Sequence, residues 1–223
     1  MRFIIHGGTL SRSLQSISSV VPSGRTMPIL LNFLMELKGE DLTVTASDLE
    51  TTITVKLNPG MVEQGSINRI AIPAKMFLEV VNSLSTQQIT IEVQEDFSVE
   101  ITAGTGKYKL VGEDPESYPV AMELEEPVLT TMSSSILVKA IGKTIFATGN
   151  SELRPQMSGV LCEQTESGTT FVATDAHKLV KYTRTDCKCD EPRSFILPKT
   201  PLGLLNKLLS SYKEEMDVKM ENN

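Results

Sequence analysis

The chain has 223 residues, 40% hydrophobic and 22% charged, a composition that suits a soluble globular protein of one large or two ordinary domains. Its apolar runs are short and broken by charge, which excludes a transmembrane helix, and the opening MRFIIHGGTL lacks the apolar core and cleavage site of a secretory signal. Cys162, Cys187 and Cys189 are too few and odd in number for a disulfide framework, and a formal charge of −7 taken alone argues against a nucleic-acid partner.

In chain order, the first helical stripe lies in residues 9–21, where Leu10, Leu14, Ile17 and Val21 recur at helical spacing. Thr9 or Ser11 is its expected cap, and Pro22 follows its end. Residues 42–45 and 53–55 alternate with period two, which predicts strands with one buried face. A second helix is predicted over 73–84, with Pro73 in the first turn and Phe77, Val80, Val81 and Leu84 as the stripe. Strands return at 89–93 and 99–101. Residues 133–147 repeat the helix design with serine caps and Leu137, Ile141 and Ile145 inward, and residues 199–211 repeat it with Leu202, Leu205 and Leu209.

The order of these elements is itself repeated. Residues 2–58 read strand, helix, strand, strand, strand, and residues 66–112 read the same way. The larger unit then recurs: Leu10 answers Leu137, Pro28 answers Pro155 and Asp48 answers Asp175, each 127 positions on, while Pro73 answers Pro198 after 125. The prediction is an α+β fold in two domains, 1–122 and 127–223. Residues 216–220 answer 89–93, but the counterparts of 99–101 and 107–111 are missing, so the second domain lacks its last strands. An unfinished sheet leaves an open edge, and the expectation is a truncated chain.

Charge follows the same division. The four helical stretches hold Arg12, Lys75, Lys139, Lys143, Lys199 and Lys207 against the single acid Glu79, a local +5 that leaves −12 on the rest of the chain. If the helices line one surface, an acidic protein presents a basic face. Such a face attracts phosphates by counterion release without reading bases, and so permits sliding. The alternative reading is an ordinary solvated helix surface.

Six segments keep one order and spacing from Met1 to about Met220. In the first half they are Ser23-Gly24-Arg25-Thr26-Met27-Pro28-Ile29-Leu30, Ala46-Ser47-Asp48-Leu49-Glu50 and Ile72-Pro73-Ala74-Lys75. In the second they are Arg154-Pro155, Ser158-Gly159-Val160-Leu161 and Ala173-Thr174-Asp175-Ala176-His177-Lys178-Leu179. Together they resemble the bacterial sliding-clamp family, the beta subunit of the replicative DNA polymerase. The resemblance implies a DNA-clamp fold: three similar domains per chain, helices inside and sheets outside, two chains closing head to tail into a ring.

It also implies that Arg25 and Lys75 touch the DNA backbone with Arg154 nearby, and the charge pattern adds Lys139, Lys143 and Lys207 as DNA-contact candidates. Position 75 is Lys where the family often has Arg, which keeps the charge without the bidentate geometry. Pro155 and Gln156 stand where some relatives carry aromatics, leaving no ring to stack. The family's partner-peptide pocket maps onto Met157, Thr174, Ala176, His177, Lys178 and Leu179, with its far wall on a third domain that this chain lacks. Its ring-closing edge maps onto Lys107, Tyr108, Lys109 and Leu110, which also read as a plain sheet edge protected by lysines. The implied partners are double-stranded DNA, a clamp loader, the polymerase catalytic subunit and other proteins with a clamp-binding motif. The full-length state implied is a homodimer, in the cytoplasm, with no membrane association, cofactor, metal or catalysis of its own.

Two other classes compete. A protein-only repeat scaffold would keep the fold and pocket but has no use for basic helices. A small hydrolase would use Asp175 and His177, which lie two apart and share a face if the segment is a strand; the alternative is that Asp175 closes a turn and His177 lines a binding surface. Only His6 and His177 are available, however, and no Gly-x-Ser-x-Gly setting is present. Cys187-Lys188-Cys189 has the wrong spacing for zinc. Gly104-Thr105-Gly106-Lys107 fails as a phosphate loop, because Tyr108 stands where Ser or Thr is needed.

Overall fold

The computed structural model describes residues 1–24, 27–119, 128–150, 154–211 and 216–222, so the DNA-contact candidate Arg25 lies outside the described residues. The chain divides into two compact units, Met1–Ala121 and Met122–Asn223.

The first unit runs β1 (Arg2–His6), α1 (Gly7–Ser18), β2 (Asn32–Lys38), β3 (Asp41–Ser47), β4 (Thr52–Leu57) and β5 (Met61–Glu63). It continues through β6 (Arg69–Pro73), α2 (Ala74–Ser83), β7 (Gln88–Val93), β8 (Ser98–Ala103) and β9 (Gly106–Val111). One sheet has the order β5-β1-β7-β8-β9 and the other β4-β3-β2-β6, with every neighbour pair antiparallel. Period-two alternation puts Phe3, Ile5, Ile89, Ile91, Val99 and Ile101 inward, under the Leu10, Leu14 and Ile17 stripe of α1 and Phe77 and Val81 of α2.

The ends of these helices differ from expectation. His6 caps α1, its Nδ1 accepting from the Gly8 N–H at 3.1 Å. Ser11, one of the two expected caps, is instead buried within the helix. The start is glycine because a Cβ on Gly7 would lie 2.2 Å from the Leu84 carbonyl oxygen. The helix stops at Ser18, so Val20 and not Val21 completes the buried stripe. Pro73 precedes α2 as its N-cap, because it also closes β6 opposite Asn32.

The second unit repeats the device. It contains β10 (Val128–Ser133), α3 (Ser134–Thr144), β11 (Gly159–Thr165), β12 (Gly168–Thr174), β13 (Leu179–Arg184), β14 (Arg193–Pro198), α4 (Lys199–Ser211) and β15 (Asp217–Asn222). The order β13-β12-β11-β14 reproduces β4-β3-β2-β6, and Pro198 closes β14 opposite Gly159 as Pro73 closes β6 opposite Asn32. β10 and β15 pair as β1 and β7 do, in a sheet of two described strands. The buried cluster comprises Leu137, Ile141, Cys162, Phe171 and Leu202 among others. α3 tightens into a 3-10 turn over Ile145–Ala147, after Thr144 Oγ1 donates back to the Ala140 carbonyl at 2.7 Å. Ile145 therefore ends half-buried, and Phe146 faces outward.

Cys162 has no exposed surface, and burial first, with Cys187 and Glu163 adding, pushes its thiol up to about 12. Cys187 and Cys189 are only partly buried. A thiol reagent added to the native chain is expected to titrate two cysteines, with the third reacting only after unfolding.

Candidate functional site

The second unit carries a cavity of about 600 Å³. One wall is the turn from β12 to β13. Asp175 Oδ1 accepts from the His177 N–H at 3.0 Å and the Lys178 N–H at 2.9 Å, and Oδ2 pairs with the Lys178 ammonium. Thr174 Oγ1 donates to the Lys178 carbonyl at 2.8 Å and accepts from the Ala176 N–H at 3.2 Å. This closed hydrogen-bond set holds Ala176 at φ 74°, in the left-handed region that costs a residue with a Cβ roughly 1 kcal/mol. The first unit builds the same turn: Asp48 Oδ1 accepts from the Glu50 and Thr51 N–H groups, and Leu49 sits at φ 79°.

The facing wall comes from three separated segments. Gly149 N–H donates to the Met157 carbonyl at 2.7 Å, Lys199 N–H to the Ser158 carbonyl at 3.0 Å, and Lys199 Nζ to Asn150 Oδ1 at 2.6 Å. These bonds bring the tail of α3, the 3-10 turn Pro155–Met157 and the start of α4 around one space. Phe146 and Met157 supply apolar surface there, while Arg154, Lys178, Lys199 and His177 supply donors.

Of the residues mapped to the peptide pocket, Met157, His177 and Lys178 line this cavity. Thr174 and Ala176 shape the turn behind it, and Leu179 is exposed at the start of β13. Arg154, expected on DNA, lines the same cavity. Phe146, Asn150 and Lys199 were not anticipated as wall residues. Phe146 had left a signal, being an aromatic off the Leu137, Ile141 and Ile145 stripe of its own helix.

The hydrolase reading fails on this geometry. Asp175 and His177 stand in a turn and not on one face of a strand, and the carboxylate is committed to two N–H groups and Lys178. These partners, the Lys178 side chain first, hold the Asp175 carboxyl well below the usual carboxylate range. A depressed folded pKa adds stability above the unfolded value and loses it only as pH falls through the folded one. Asp175 should therefore show no carboxyl inflection at or above pH 3.8 in a carbon-13 titration of the native chain. An inflection there would contradict the turn described.

The remaining candidates sit on helices and an edge. Lys75 is exposed on α2, Lys139 and Lys143 on α3, and Lys207 on α4. The bonds from Arg184 hold the Asp186 carboxyl low, and the nearby Lys139 charge adds a little to this. On the edge strand β9, Lys107 pairs with Glu100 at 2.8 Å, and Tyr108 and Lys109 are exposed. Leu110 turns into the core and anchors the strand.

Together these features define a tandem α+β repeat protein with exposed helix cations and a part-apolar, part-cationic cavity. The chain belongs to the DNA polymerase III beta subunit family: residues 1–123 match its N-terminal domain and residues 131–223 its central domain. It is 32% identical over 231 residues to the beta sliding clamp of Halalkalibacterium halodurans, covering all of this chain and 61% of that protein. The DNA polymerase sliding clamp of Bacillus subtilis superposes with a TM-score of 0.85 at 28% identity, over 99% of this chain and 60% of that one. A putative DNA polymerase III beta subunit from Eubacterium rectale shares the fold with a TM-score of 0.89 at 24% identity, over 100% and 60% of the two chains. The chain thus spans about three fifths of the length of the relatives it matches.

Proposed function

We propose that this chain forms the first two domains of a DNA sliding clamp, a non-catalytic ring that encircles duplex DNA and tethers a replicative polymerase. The observation that carries this reading is the segregation of charge. The helices hold +5 against −12 elsewhere, and Lys75, Lys139, Lys143 and Lys207 are all exposed while the apolar stripes beside them are buried or half-buried. Lysines on helix surfaces meet phosphates as point charges, equally well at every base sequence. A closed ring cannot leave DNA sideways, so weak contacts of this kind suffice and translation along the duplex stays free. Arg25 and Arg154 join these contacts in the reading, and a loader opens the ring.

The cavity in the second unit is the domain-two wall of the partner pocket. Phe146, Met157 and the carbon stem of Lys178 receive the apolar anchors of a polymerase or other clamp-binding segment. Lys107, Tyr108 and Lys109 on β9 serve ring closure in the homodimer. No described helix is long and apolar enough to cross a membrane, and the proposed compartment is the cytoplasm.

The test is duplex binding by fluorescence anisotropy across a salt series, using several unrelated sequences. Equal affinities and a linear fall of log K with log salt are expected. No association, or one insensitive to salt, would contradict the DNA reading and leave the protein-only scaffold.

A further inference from the structure

α1 and α2 meet through three polar side chains. Ser11 Oγ donates to Asn82 Oδ1, Gln15 Nε2 donates to the same oxygen at 3.0 Å, and Gln15 Nε2 also reaches Ser11 Oγ at 3.3 Å. Ser11 is buried, whereas Gln15 and Asn82 are exposed. Two donors on one carboxamide oxygen fix the orientation of the amide. They leave its Nδ2, a group with two N–H donors, without a protein partner among the described residues. Asn82 lies seven residues after Lys75, on the exposed face of α2, and its partner Gln15 lies three residues after Arg12 on the exposed face of α1.

The internal repeat shows which residue stands at this position in the other unit. Pro73 and Pro198 close equivalent strands, and nine residues beyond each stand Asn82 and Lys207. The counterparts of Ser11 and Gln15, 127 positions on, are Val138 and Gly142, neither with a side chain able to hydrogen-bond. The clasp is present where the position holds an amide and absent where it holds a lysine. An ammonium on a flexible stem needs no orienting, but a carboxamide must be turned so that its donors and not its acceptor meet an anion. Simple helix–helix adhesion would not require that correlation.

We propose that Asn82 is a phosphate-contact residue of the first unit: its Nδ2 donates to a backbone phosphate oxygen of duplex DNA, as the neutral counterpart of Lys207. The occupant is chosen by charge, since this face carries Arg12 and Lys75 against one acid, Glu79. The inference rests on the DNA reading above.

The test uses the 223-residue chain and short duplexes. Asn82→Asp keeps the oxygen that Ser11 and Gln15 bond, and replaces the free donor by an anion. It should weaken duplex binding roughly tenfold or more while the unfolding midpoint holds. Asn82→Lys should steepen the log K against log salt slope by about 0.9, one added phosphate. In the wild-type chain the Asn82 side-chain NH2 signals should shift saturably on adding DNA. Unchanged NH2 signals, or both variants binding like wild type while Lys75→Gln and Lys207→Gln bind less steeply, would overturn the role of Asn82 and spare the DNA reading. Should Lys75→Gln and Lys207→Gln also match wild type, the DNA reading fails and the proposal falls with it.

Discussion

Replacing Lys75, Lys139, Lys143 and Lys207 together by Gln is expected to flatten the salt dependence of duplex binding by about 3.6 units of log–log slope. That is about 0.9 for each phosphate no longer neutralised. All four lysines are exposed, so the change removes charge without opening the core. Gln has nearly the helix propensity of Lys and a similar stem, so the helices and the unfolding midpoint should be kept. The matching control removes Lys107 and Lys109 from β9, the edge strand of its sheet, and should leave the slope as it was. If the control flattens the slope as much as the helix variant, general charge and not the helix faces governs binding.

Phe171→Ala should be the most damaging single change to the fold of the second unit. Phe171 is 1% exposed at the centre of β12, opposite Cys162 of β11 on one side and Tyr182 of β13 on the other. Phe-to-Ala substitutions in such cores cost about 3–5 kcal/mol, the lost transfer energy plus the residual cavity. In a domain of this size that lowers the midpoint by roughly 15 °C or more. The loss should appear in the thermal transition of Met122–Asn223 and spare that of Met1–Ala121, which has a core of its own. A fall of only a few degrees, measured by calorimetry, would mean that neighbouring side chains close over the gap.

How much of this was legible depended on whether the signal was local. The four helices and the strands at 89–93 and 99–101 were readable because one face of each is buried, and burial writes a period into the sequence. The repeat was readable because Pro and Asp do fixed backbone work: each Pro closes a strand or opens a 3-10 turn, and each Asp caps the same turn. The cap of α1 was missed because His6 acts through Nδ1, a role usually held by Ser, Thr, Asn or Asp. β5 was missed because three residues cannot show alternation, and its place depends on pairing with β1, more than fifty residues earlier.

The candidate site was half legible. Met157, His177 and Lys178 carried family resemblance, but Phe146, Asn150 and Lys199 reach the cavity only through bonds joining Gly149 to Met157 and Lys199 to Ser158. A strand would put Asp175 and His177 on one face, but the other reading, Asp175 closing a turn, is the one the structure shows. Asp175 answers Asp48 of the first unit, and in the structure the residue after each adopts positive φ.

The most direct measurement is a titration of short duplex DNA into the nitrogen-15-labelled chain, followed residue by residue. The account predicts saturable shifts on the exposed faces of α1 to α4, around Arg12, Lys75, Asn82, Lys139, Lys143 and Lys207, that vanish as salt is raised. Shifts confined to the strands, or none at low salt, would contradict it.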